Sequence, residues 1–266
     1  MYLQNKNAII YGAGGSIGSS VAKALARAGA RVFLTGHKLE PLEVVAKEIR
    51  ECGGLAEINM VDAFNGVEIS THLENVGQVA GSVDISFNAV GIAVIQNLPL
   101  IDLAADDFVN PVKETLLTRF LTAKAAGLFM MKQRSGVILS LTATPGGIGY
   151  PYTGGFAPAC TAVETLAQNL AAELGVYGVR VVNIRSGGSP DSKVFKEAIE
   201  NHPEEMKPVL AKMKADTMLK HLPPMDDIAN TAVFLCSPLA ASITGVTIDV
   251  TCGTTAGLNY KVELSS

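Results

Sequence analysis

Four glycines fall within eight residues at Tyr11-Gly12-Ala13-Gly14-Gly15-Ser16-Ile17-Gly18, between a short apolar run and a stretch of helical periodicity. A turn of this composition lets the backbone reverse sharply and approach a pyrophosphate, whose charge the following helix N-terminus stabilises. A tight turn that only needs positive φ angles would also use glycine. The strand before it and the helix after it favour the phosphate-binding reading, and they restrict the chain to folds built from strand–turn–helix units.

The rest of the chain keeps this rhythm. Residues 7–12, 31–36, 55–61, 83–88, 136–141, 179–184 and 247–250 read as strands. Residues 16–28, 39–52, a stretch within 65–79, 111–133, 156–176 and 225–236 read as helices, the fourth starting at Pro111, a residue suited to a first helical turn. Such alternation predicts a doubly wound, mostly parallel sheet of about seven strands covered on both faces. With 266 residues and 48% apolar content the chain can bury its core as one domain over 1–266. Residues 189–224 break the pattern with Pro190, Pro203, Pro208 and Pro223-Pro224, which predicts a helical lid rather than a sheet layer.

Composition excludes several functions. A net charge of -4 gives no attraction for nucleic acid or an anionic membrane. The four cysteines lack Cys-x-x-Cys spacing and suit a reducing compartment. No secretory leader is evident, no apolar run reaches the roughly 20 residues a spanning helix needs, and no ligand cluster suggests a metal. The expectation is a cytoplasmic protein acting on a small molecule.

At the end of the second strand, Thr35-Gly36-His37-Lys38 lacks the carboxylate that would bond an NAD ribose. Lys38, and His37 when protonated, would instead attract a 2′-phosphate, so NADP is the expected cofactor. Lys38 as a plain solvated charge is the alternative.

The glycine-rich segment resembles the Thr-Gly-x-x-x-Gly-Ile-Gly of the short-chain dehydrogenase/reductase family, with Tyr11 for threonine and Ser16 for the middle glycine. Asp62 resembles the family's aspartate near the adenine. Phe87-Asn88-Ala89-Val90-Gly91 resembles Asn-Asn-Ala-Gly with one residue inserted, and 227–245 resembles the family's C-terminal core. Gly187 matches the glycine of the family's Pro-Gly, ahead of a nicotinamide contact. The resemblance implies a Rossmann-like fold and a cofactor site at Gly12, Gly14, Gly15, Ser16, Ile17, Gly18, His37, Lys38, Asp62, Asn88, Gly91 and Gly187. It also implies pairing of the helices at 111–133 and 156–176 in a homodimer or homotetramer.

The same resemblance aligns Thr115, Ala143, Phe156 and Cys160 with the family's asparagine, serine, tyrosine and lysine. General acid–base help worth about 10²–10⁴ in rate would be absent by the family route. Thr142, beside Ala143, and Tyr152, in the loop 146–155, are the candidate replacements; both loop tyrosines could equally pack the cleft wall. Cys160 reads as a buried inert thiol, since nothing nearby in sequence would lower its pKa. Met206, Met213 and Met218 would suit a bulky apolar substrate or simple helix packing. Three functions remain open at this point: an NADP-dependent oxidoreductase with an unusual proton donor or an activated alkene as acceptor, a catalytically silent binding protein, and a non-redox cyclisation or elimination.

Overall fold

The structure is a computed structural model that describes residues 1–257. Its elements follow in the order β1 (Asn7–Tyr11), α1 (Ser16–Arg27), β2 (Arg31–Gly36), α2 (Leu39–Glu51), β3 (Leu55–Met60), α3 (Gly66–Ala80), β4 (Ile85–Asn88) and α4 (Ala105–Gln133). Then come β5 (Gly136–Ala143), α5 (Phe156–Leu174), β6 (Val179–Ser186), α6 (Lys193–Asn201), α7 (Pro203–Asp216), α8 (Met225–Cys236) and β7 (Thr247–Val250). All strand pairings are parallel, in a seven-stranded sheet of order β3-β2-β1-β4-β5-β6-β7.

Parallel strands need cover on both faces, and β1 shows it, with all five residues buried. On one face Val21 and Leu25 of α1, Leu42 and Ile49 of α2, and Ile228 and Leu235 of α8 share a core. On the other, Ile69 and Leu73 of α3, Met130 of α4, and Ala167 and Leu174 of α5 form a second. Each large apolar side chain so buried contributes about 1.5–3 kcal/mol. Helix ends follow local chemistry: Asn65 caps α3 by accepting from the amides of Val67 and Glu68, and Gly81 closes it at φ 81°.

Several boundaries differ from the sequence reading, that of α4 by the most. α4 begins at Ala105, not Pro111, which lies inside the helix. The acidic pair Asp106 and Asp107 favours the earlier start, and Pro111, buried in the second turn, removes only a single backbone hydrogen bond. β5 and β6 run on to Ala143 and Ser186, because Thr142 and Arg185 pair across the ladder and find polar partners there. Residues 193–216 form two helices with no buried residue, α6 and α7.

Candidate functional site

Strands β1 to β3 run outward in one direction and β4 starts the other, so the sheet reverses between β1 and β4. Open parallel sheets bind ligands in the crevice above such a point. Gly12 turns there at φ 75°, and a Cβ on it would stand 2.9 Å from the backbone of Ala89 and Val90. A Cβ on Gly18 would stand 2.3 Å from the Gly12 carbonyl, so only glycine lets α1 approach the turn this closely. No acidic residue occupies the first turn of α1 and no side chain caps it. The helix N-terminus is therefore open to an anion. Ser16 Oγ accepts from the amide of Lys193, which joins the glycine-rich turn to the start of α6.

His37 and Lys38 are exposed at the end of β2. Asp62, also exposed, accepts from the amide of Phe64. Asn88 is committed elsewhere: its Nδ2 donates to the Thr118 carbonyl and Thr122 Oγ1, and its Oδ1 accepts from the Val90 amide. These bonds brace β4 against α4. Gly91 is exposed with open space around it. Gly187 is packed against Pro223 and Thr251, so close packing suffices to explain its lack of a side chain.

At the ends of β5 and β6, side chains alternate between faces, and Ser140, Thr142, Asn183 and Arg185 meet α5. Thr142 donates to Glu164 Oε1 at 2.9 Å and accepts from Asn183 Nδ2 at 2.7 Å. Arg185 grips Glu164 through Nε at 3.0 Å and Nη2 at 2.5 Å, and reaches Asp249 through Nη1 at 2.9 Å. Thr142 is thus a 4% exposed member of an internal network, its hydroxyl donating to Glu164. This network was invisible in the sequence: Glu164 and Arg185 are 21 residues apart and carry no motif.

Phe156 opens α5 half-buried, and Cys160 one turn later is buried under Gly146, where an added Cβ would stand 2.9 Å from the Cys160 Cβ. Burial pushes the Cys160 thiol up, against a hydrogen bond from the Ala143 backbone that lowers it. The group stays protonated and inert at neutral pH. Thr115 is half-buried on α4. Tyr152 is 55% exposed, its backbone in the left-handed region at φ 61° with its carbonyl accepting from the Asn97 amide. Beneath the site, Tyr11 points into the second core with its hydroxyl unpartnered, and burial raises its pKa. Met213 packs over Gly188, and Met218 lies against Gly253 while remaining 55% exposed. His202 and His221 are exposed.

The sequence profile of the family described as Enoyl-(Acyl carrier protein) reductase matches residues 12–255. The chain belongs to the short-chain dehydrogenase/reductase family. Among this family's members, the 7alpha-hydroxysteroid dehydrogenase of Escherichia coli is 29% identical over 259 residues, covering 97% of each chain. The 3-oxoacyl-acyl-carrier-protein reductase FabG of Staphylococcus epidermidis is 30% identical over 253 residues, 94% of this chain and 98% of its own. A solved 7 alpha-hydroxysteroid dehydrogenase in complex with NADH and 7-oxo glycochenodeoxycholic acid superposes with a TM-score of 0.84 at 29% identity, over 94% of both chains. Levodione reductase shares the fold with a TM-score of 0.88 at 24% identity, over 96% of this chain and all of its own. Among the described residues no helix is long and apolar enough to cross a membrane.

Proposed function

We propose that this protein is an NADP-dependent oxidoreductase of the short-chain dehydrogenase/reductase type with an atypical proton-donating site. The observation that carries the reading is the turn at Gly12, Gly15 and Gly18 beneath an uncapped, acid-free start of α1. These residues fit a dinucleotide: the amides of α1 would hold its pyrophosphate, Ser16 would border it, and Asp62 would lie toward the adenine. Lys38 and His37, exposed where a ribose 2′-phosphate would lie, favour NADP over NAD. When bound, the nicotinamide supplies the hydride.

The chain's own residues then orient the acceptor and exclude water. Phe156 and Ala143 shape the pocket without offering a proton, burial keeps Cys160 protonated, and Thr142 donates its hydrogen bond to Glu164. The proton reaches the product from the Tyr152 phenol or from water, which suits an acceptor needing little acid help, such as an activated alkene. The same commitments favour a second reading, a catalytically silent NADP-binding protein; tight NADPH binding with no turnover across carbonyls and enones would select it. Leu117, Phe120 and Leu128, exposed along α4, support a homodimer or homotetramer built on that helix.

Calorimetric titration tests the cofactor assignment. NADPH should bind in the micromolar range and NADH much more weakly, with Lys38→Ala losing about tenfold for NADPH only. An unchanged NADPH affinity in Lys38→Ala would remove that residue from the site.

A further inference from the structure

Arg119 lies mid-way along α4, one turn beyond Thr115, and is 6% exposed. Burial pulls its pKa down to about 10, so it remains charged at neutral pH. Its Nη1 donates to the Val90 carbonyl at 2.8 Å and to Thr118 Oγ1 at 3.1 Å. Nε is buried without a partner, and Nη2 makes no hydrogen bond among the described residues. Among the described residues no carboxylate compensates the charge, and the group whose titration it feels is the Cys160 thiol. The other two arginines withdrawn from water differ. Arg185 is held by Glu164 and Asp249, while Arg180 is committed to the carbonyls of Ile243 and Leu235.

The unused donors of Arg119 are those of the Nε–Nη2 edge, whose two parallel N–H groups match the two oxygens of a carboxylate. Val90, which anchors the opposite side of the guanidinium, abuts Gly12 at the floor of the crevice, and Cys160 lies on α5 below Phe156. The charge is therefore set between the nucleotide turn and the start of α5, where an acceptor would lie. We propose that Arg119 is the anion receptor of this site and that the substrate carries a carboxylate bound by its Nε–Nη2 edge. This deepens the oxidoreductase reading by naming a substrate class, and it rests on that reading for the location of the acceptor.

The test is calorimetric titration of the full chain, with and without saturating NADPH, using benzoate and pyruvate against their amides, and inorganic phosphate as a separate arm. At least one acid should bind, with its amide at least about tenfold weaker, and Arg119→Gln should lose about tenfold or more for the acid. Arg119→Lys, which keeps the charge but not the fork, should fall between. Equal binding of acid and amide, equal binding by wild type and Arg119→Gln, binding of phosphate alone, or no binding of either acid would overturn the assignment. A structural arginine would lower the melting temperature on replacement by methionine and leave carboxylate affinity alone. An anion receptor loses carboxylate affinity on the same replacement, whatever the loss of its bond to the Val90 carbonyl does to the melting temperature. Acid binding that survives a failure of NADPH binding would uphold Arg119 while removing the NADP reading.

Discussion

The turn at residues 12–18 and the pocket between β5, α5 and β6 sit at the same carboxyl edge of one sheet, yet they are built on opposite principles. The turn works by leaving things out: no side chain on Gly12 or Gly18, no cap and no acid on α1. The pocket works by filling: Glu164, Arg185, Asp249, Thr142 and Asn183 satisfy one another where an open site would need unpaired groups. A site that binds through backbone amides tolerates change elsewhere in the chain. A pocket held by side chains must be replaced as a set, because each buried charge depends on its partner.

The comparison can be broken at three points. Glu164→Leu should do most damage, about 3 kcal/mol in urea unfolding, since it leaves the Thr142 proton without its acceptor and Arg185 with Asp249 alone. A loss under about 1 kcal/mol would mean that the filled pocket is not held by this network. Gly18→Ala comes next, at about 2 kcal/mol, with loss of measurable NADPH binding, because its Cβ would stand 2.3 Å from the Gly12 carbonyl. Retained affinity would show that the turn can open without cost to the ligand. Smallest is Tyr152→Gly, which relieves a φ of 61° on an exposed side chain and should gain under about 1 kcal/mol in thermal melts. Its turnover, compared with that of Tyr152→Phe, separates the phenol from the backbone geometry: equal rates in both variants and in the wild type would leave water as the donor.

Much of the fold was legible along the chain. The apolar runs of β1 and β2, buried on both faces of the sheet, and the one-sided periodicity of α1, α2 and α8 mark their elements to within a residue or two, because such burial leaves a local signature. The ends of β5 and β6 were not legible. Thr142 and Arg185 interrupt an apolar pattern, and a strand continues through them only because Glu164, on a helix formed elsewhere, and Asp249 accept their donors. Pro111 misled for a related reason: it suits a first turn, but the helix it sits in was already started by Ala105 and its acidic neighbours.

The sequence by itself determined the strand–turn–helix unit and its bare, glycine-lined turn, since both depend on residues within a few positions of one another. Only the tertiary structure decided which polar groups are committed and which are not. Asn88 is fastened to α4, Thr142 bonds Glu164, and Arg119, which carries no motif, is buried without a counter-ion among the described residues. Hydrogen-bond partners are chosen across tens of residues by packing, and low exposure makes each missing partner costly, so that choice has no local trace in the chain.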